Sequence, residues 1–306
     1  MERSSLNVFY VLDKRFAIHF TVSLTSLLEN NKDIAIKAHV IHKLDDNDLI
    51  DQLQTFFTSN YSVEINFYRF NYQIPSELPT SQYITEASYY RLYLTEILPT
   101  NICFGLYIDC DTVVTGSLKE LVDPDIFTAK SNFEYSILGV ADRFEANEML
   151  RLKSLEITTS AYFNAGVLMI NLNKWRSENV YEKLIDVARR FSSDLKYHDQ
   201  DVLNIYFRGG CGKLEQTFNC VTEKKLPQTP VVVHFSGASK PWHYVNNGPY
   251  KPIYRKYLKK TPFKKEKLDR ISLLKFYRKY LNRLKVFLNI ESFSEIFFLP
   301  IRKLTK

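Results

Sequence analysis

The chain has 306 residues, 45% of them hydrophobic and 14% aromatic, enough apolar material for a well-packed globular core. Its four cysteines (Cys103, Cys110, Cys211 and Cys220) form no CxxC pair, which excludes a zinc ribbon or a disulfide scaffold and fits a reducing compartment, cytosol by default. The net charge of +7 hides two unlike parts, since residues 1–250 carry 24 Lys+Arg against 30 Asp+Glu and residues 251–306 carry 17 against 4. No run approaches the roughly 20 apolar residues of a membrane-spanning helix.

LNVFYVL (6–12) is too short for a secretory signal core and is followed at once by Asp13, Lys14 and Arg15, so it reads as a first strand. FAIHFTVSLTSLLEN (16–30) has apolar residues at helical spacing. IAIKAHVIH (34–42) is strand-like, DDNDLIDQLQTFF (45–57) opens with helix-capping acids, and VEINFYRF (63–70) is strand again. This βαβαβ start predicts parallel strands covered by helices. A helix is expected through SYYRLYLTEIL (88–98), then strands at FGLYID, SILGVAD (136–142), AGVLMINL (165–172) and VVVHFS (231–236). Asn, Gly and Pro cluster in NNGPYKP (246–252), which divides the chain into a body, 1–248, and a basic aromatic tail, 249–306.

In a doubly wound sheet ligands bind beyond the carboxyl ends of the strands, and Asp13, Asp109, Asp111, Asp142 and His234 all fall at such ends. LYIDCDTVV (106–114) sets Asp109 and Asp111 on either side of Cys110. In an extended segment alternate residues share a side, with Cα atoms about 6.6 Å apart. The two carboxylates would then grip one hard cation such as Mg²⁺ or Mn²⁺ and leave positions open for a diphosphate. Alone, such an acid pair is a weak signal, since acids at strand ends commonly serve turns and caps.

Three further segments raise its weight: FNAGVLMINLNKWR (163–176), HDQDVLNIYF (198–207) and HFSGASKPWH (234–243). With these motifs in order from Asn7 to His243, the chain resembles the family 8 glycosyltransferases, retaining enzymes of GT-A fold, and is most similar to their bacterial lipopolysaccharide galactosyltransferases and glucosyltransferases. The fold this implies is α/β, a Rossmann-like mixed and mainly parallel sheet flanked by helices, with a basic amphipathic helical tail beyond it. The resemblance implies Asp109, Asp111 and His234 as metal ligands, Mn²⁺ in preference to Mg²⁺ because imidazole joins the carboxylates. It assigns Gly237 and Lys240 to the diphosphate and Arg91 to the donor and the metal-binding acids. Tyr10, Asp13 and Cys110 join them as nucleotide contacts, and Asp142, Asn164, Gly166, Asp199 and Gln200 line the donor sugar pocket. Around Asp13 the segment VLDKRF departs from the family pattern, which leaves the details of a uridine pocket open. Asp201 reads mainly as a structural residue at a helix N-terminus.

The implied reaction moves a hexose from UDP-galactose or UDP-glucose to a hydroxyl of a glycan or glycolipid, such as lipopolysaccharide core, with an α-linkage. The residue expected on the β face is the amide of Gln200, a poor nucleophile. A same-face substitution through an oxocarbenium-like state is therefore favoured, with Asp142 and Asp199 as alternative candidates for a transient nucleophile. In the tail, Leu273, Tyr277, Tyr280, Leu284 and Phe287 form one helical stripe, with Lys275, Lys279 and Lys285 largely away from it. With FFLPI (297–301), this predicts peripheral attachment to the anionic inner face of the cytoplasmic membrane through residues 251–306. The alternative is packing on the body or on a second subunit in a homo-oligomer. No nucleic-acid motif accompanies the basic run. Two other functions stay open: a non-catalytic membrane-bound UDP-sugar-binding scaffold and a glycogenin-like self-glycosylating transferase.

Overall fold

The computed structural model describes residues 4–80, 85–128, 134–142, 146–157, 162–221, 228–237, 239–243, 246 and 248–266. The strands are β1 (Ser5–Leu12), β2 (Ala35–His42), β3 (Val63–Arg69), β4 (Phe104–Ile108), β5 (Thr112–Val114), β6 (Ile137–Ala141), β7 (Phe163–Asn171), β8 (Gly212–Lys213) and β9 (Val232–His234). The α-helices are α1 (Ala17–Asn30), α2 (Asn47–Asn60), α3 (Leu94–Ile97), α4 (Ala146–Ser154), α5 (Leu172–Ser177), α6 (Val180–Arg190), α7 (Asp199–Phe207) and α8 (Lys251–Leu258). Seven strands form one sheet in the order β3-β2-β1-β4-β7-β6-β8, in which β7 alone runs antiparallel to its neighbours. This is the expected mixed α/β architecture.

β1 is apolar without alternation because both its faces are covered. Leu6, Val8, Tyr10 and Leu12 pack against Phe20, Leu24 and Leu27 of α1, while Phe9 and Val11 turn to the opposite core with Tyr90, Leu92 and Tyr107. Each such fully buried large side chain contributes about 1.5–3 kcal/mol. α2 starts where Asp46 accepts the Leu49 N–H, as its run of acids predicts.

Two local expectations need correction. The acid pair is not extended: β4 stops at Ile108, Asp109–Asp111 form a turn, and the chain resumes as β5, which pairs with β9 in a separate two-stranded ribbon. The predicted helix over 88–98 is a tighter 3₁₀ helix at Glu86–Tyr93 and becomes α-helical only in α3. Tyr89, Tyr90, Arg91, Leu92 and Tyr93 are all buried, and their tertiary surroundings override the local preference for α-helix.

The first part of the basic segment packs on the body. Trp242, Tyr254, Tyr257 and Leu258 form a cluster with Val22 of α1 and Val113 of β5. The Asn30 amide donates to the Tyr257 hydroxyl at 2.7 Å, and Lys260 pairs with Glu29 at 2.7 Å. The predicted stripe Leu273–Phe287 and the segment FFLPI lie outside the described residues. Among the described residues no helix is long and apolar enough to cross a membrane.

Candidate active site

Ribbon register builds the first half of the site. His234 ends β9 directly opposite Thr112, the residue after the Asp109–Asp111 turn, so its imidazole lands on the acid pair. Thr112 Oγ1 donates to the Asp109 carbonyl at 2.8 Å and closes the turn. His234 Nε2 lies 3.3 Å from Asp111 Oδ1 and 3.8 Å from Asp109 Oδ2, and one ligand atom from each residue falls within 4.8 Å of the others. The three residues therefore converge although the acid pair is not in an extended strand.

The imidazole tautomer follows from a chain of amides. The Gly166 N–H donates to Asn164 Oδ1 at 3.0 Å, so the oxygen end of that amide is fixed by a backbone donor. Asn219 Nδ2 donates to the same oxygen at 2.8 Å, which turns Asn219 Oδ1 toward His234 Nδ1 at 3.0 Å. Nδ1 consequently donates, which leaves Nε2 as the imidazole's ligand atom toward the two carboxylates. With Nε2 unprotonated, three acceptors point at one another and repel, and a cation between them would remove the repulsion. The donor set, carboxylate oxygens with one imidazole, fits Mn²⁺ or Mg²⁺. Gly166 has to be glycine here: a Cβ would lie 2.2 Å from His234 Cε1 and 2.9 Å from Asp109 Oδ2.

Asp109 is oriented from behind. Its Oδ1 accepts from Arg91 Nη2 at 2.9 Å and from the Tyr107 hydroxyl at 2.7 Å, which leaves Oδ2 for the cluster. Arg91 also lies over the Tyr107 ring, 4.3 Å from its centroid, and donates to the Ala165 carbonyl. Burial would lower the Arg91 pKa, but Asp109 and Asp199 outweigh it and hold the guanidinium charged. Lys240 binds Asp111 Oδ2 and donates to the Phe235 carbonyl at 2.8 Å. Burial would raise the Asp111 pKa, yet the Lys240 ammonium overcomes it and keeps this carboxyl well below the usual range.

The second half of the site is an amide lattice at the carboxyl end of β6 and in a break of β7. The β6–β7 register jumps from Gly139↔Leu168 to Val140↔Asn164, so β7 bulges at Ala165–Val167 and its backbone turns to the site. Asp142 Oδ2 accepts from Asn164 Nδ2 at 3.2 Å and from Gln200 Nε2 at 3.1 Å, while Gln200 Oε1 accepts the Ala165 N–H at 3.0 Å. Asp199 starts α7 after His198, whose φ of 51° is left-handed. Its Oδ2 lies 2.8 Å from Arg91 Nε, but that N–H is directed to the Ser88 carbonyl at 3.2 Å, so the contact is an ion pair without an aligned hydrogen bond. Burial pushes the Asp199 pKa up, and Arg91 offsets part of that.

Asp109, Asp111, His234, Arg91, Asn164, Gly166, Asp142, Asp199, Gln200 and Lys240 thus form one connected group. Gly237 lies in the loop after β9 with φ of 77°, a conformation that favours glycine. Asp13 caps the helical turn after β1 by accepting from Arg15 N (2.9 Å) and Phe16 N (3.1 Å), and its Oδ2 accepts from Thr85 at 2.8 Å. The side chains of Tyr10 and Cys110 turn away from the site. Tyr10 is fully buried beneath α1, with its hydroxyl on Ser23 at 3.1 Å. The Cys110 thiol turns inward to the Val11 carbonyl at 3.2 Å, and burial pushes its pKa well up. Nothing local in the sequence marks Asn219, Tyr107 or Trp242; an asparagine in TFNC or a tyrosine in a strand carries no sign of its partner.

The sequence model of glycosyl transferase family 8 matches residues 7–246. The chain belongs to that family. A relative, the lipopolysaccharide 1,2-glucosyltransferase of Escherichia coli, is 28% identical over 92% of this chain and 89% of its own length. The lipopolysaccharide 1,3-galactosyltransferase of Salmonella typhimurium is 27% identical over 79% of this chain and 74% of that protein. Among solved structures, the galactosyltransferase LgtC in complex with donor and acceptor sugar analogs superposes with a TM-score of 0.72 at 22% identity. The match covers 84% of this chain and 96% of that one, a likeness of fold that agrees with GT-A.

Proposed function

We propose that this family 8 member is a retaining hexosyltransferase. It takes galactose or glucose from a UDP-sugar and forms an α-linkage to a hydroxyl of a glycan or glycolipid, lipopolysaccharide core being the acceptor class its relatives' names point to. The observation that carries the reading is the inward-facing set of Asp109, Asp111 and His234 within 4.8 Å. A divalent ion, Mn²⁺ before Mg²⁺, held by these residues would supply positive charge beside a diphosphate leaving group. Lys240 is the chain's own cation at the same place, and Gly237 offers backbone there without a side chain.

Around the sugar, Asp142, Asn164 and Gln200 provide carboxylate and amide groups suited to hydroxyls, and an unmatched hydroxyl would leave one of them unpaired. Neither acid there is an unencumbered nucleophile. Asp142 accepts from two amides, and Asp199 is buried against Arg91. This supports a same-face substitution in which Gln200 positions the sugar and stabilises developing positive charge, and the leaving diphosphate takes the acceptor proton. The basic segment 251–306, with 17 Lys+Arg against 4 Asp+Glu, supports attachment to an anionic membrane surface at the cytoplasmic face.

The test is UDP release from UDP-galactose, UDP-glucose and their N-acetyl forms, with and without Mn²⁺. Metal-dependent release that Asp111→Asn reduces by about 10³ or more is the expected result. Silence with every donor would favour a non-catalytic UDP-sugar-binding protein.

A further inference from the structure

We infer that Tyr162 is a positioning residue that holds the Gln200 amide in one of its two orientations, an inference that rests on the transferase reading above. Asp201, the neighbour of Gln200 on α7, is fully buried and ringed by donors. Arg151 of α4 grips it through two contacts, Nη1 to Oδ2 at 2.9 Å and Nη2 to Oδ1 at 3.1 Å. The Lys196 and Tyr197 N–H groups each donate to Oδ2 at 2.8 Å, and the Tyr162 hydroxyl donates to Oδ1 at 2.6 Å.

A tyrosine hydroxyl has one proton, and a carboxylate so surrounded acts purely as an acceptor. With its proton directed to Asp201, the Tyr162 oxygen presents lone pairs elsewhere. Gln200 Nε2 lies 3.3 Å away, so Tyr162 accepts from the nitrogen end of the amide and would repel the oxygen end. The Ala165 N–H, 3.0 Å from Oε1, imposes the same orientation from the other side. Three consecutive residues of α7 thus divide the work. Asp199 faces Arg91, Gln200 faces the sugar-binding lattice, and Asp201 reaches Gln200 indirectly through Tyr162. Arg151 ties α4 into the same chain of contacts.

The experiment is a double-mutant cycle between Tyr162→Phe and Gln200→Ala, read as UDP release from radiolabelled donor so that slow variants stay measurable. Tyr162→Phe keeps the ring, and Asp201 keeps Arg151 and both backbone donors. We expect kcat to fall about tenfold with donor KM within about twofold, and the same change to cost less than about twofold in the Gln200→Ala background. Asp201→Asn is the second variant: an amide there would donate to the Tyr162 oxygen and turn its proton toward Gln200, and its loss should depend on Gln200 in the same way. An equal fall in both backgrounds, or no fall with either variant, overturns the inference while leaving the transferase reading intact. A native enzyme that releases no UDP from any donor overturns the reading itself, and the inference with it.

Discussion

The two halves of the site are built on different principles. At the first, Asp109, Asp111 and His234 aim acceptors at one another, and Arg91, Tyr107 and Asn219 hold them there from behind. At the second, Asp142, Asn164 and Gln200 match donor to acceptor within the protein. The first half gathers acceptors whose mutual repulsion an external cation would relieve. The second is already satisfied and can exchange its contacts for those of a neutral sugar. Changes at the first half should therefore act through metal affinity, and changes at the second through turnover at saturating metal.

The most severe break of this contrast comes from a residue shared by both. Gly166→Ala adds a Cβ that would lie 2.2 Å from His234 Cε1 and 2.7 Å from its Nδ1. The imidazole has to leave the acid pair, while the sheet core, which Gly166 does not fill, stays intact. We expect a loss of about 10²–10³ in turnover with little change in thermal stability, measured by UDP release and by melting. Near-native activity would mean that His234 is dispensable to the first half.

Asn219→Ala should do less, and chiefly to the first half, since Asn164 Oδ1 loses the Asn219 donor but keeps the Gly166 N–H. Removing the acceptor on His234 Nδ1 leaves the ring free to take either tautomer, without disturbing Gln200 or Asp142. Outer-shell partners of this kind are worth about 10–100-fold in metal affinity. The expected outcome is a Mn²⁺ activation curve displaced by that factor, with the plateau rate nearly kept. A lowered plateau with an unmoved curve would show that the two halves are not separable.

How much of this could be read without coordinates depends on the distance over which each contact acts. Strands β1 and β7 follow from continuous apolar runs, β2 and β3 from apolar residues interspersed with polar ones, and α1 and α2 from helical spacing. Asp109, Asp111 and His234 are marked by motifs. Local pattern fails where tertiary burial dictates geometry, as in the 3₁₀ turn at Glu86–Tyr93 and the break that makes Asp109–Asp111 a turn. It also fails for Asn219 and Tyr162, whose roles arise from partners 15 and 38 residues away. The placement of the Tyr10 side chain is hidden for a related reason. Strand alternation places it on the α1 side, opposite to Phe9 and Val11, and both sides are covered, which only the packed sheet shows.

The mildest test separates the two halves by their tryptophans, of which the chain has two. Trp175 is buried in the core behind the second half, donating to the Ser136 carbonyl at 3.0 Å. Trp242, two residues after Lys240, stacks on His19 with ring centroids 3.4 Å apart, and His19 in turn contacts the Tyr254 hydroxyl of α8 at 2.8 Å. Burial holds His19 neutral and lowers its pKa from 6.5 to about 3, with nearby Asp111 opposing the shift. Because the unfolded chain takes up this proton more readily, the stability tied to neutral His19 is present in full above pH 6.5. It is lost as pH falls through that value toward about 3. In a Trp175→Phe protein, emission from Trp242 should shift to the red within this window, as the stack and α8 loosen. In a Trp242→Phe protein, Trp175 should respond only at lower pH, together with global unfolding. Identical acid transitions from both proteins would mean that the α8 side is no less robust than the core behind Gln200, and would remove His19 as the group that distinguishes them.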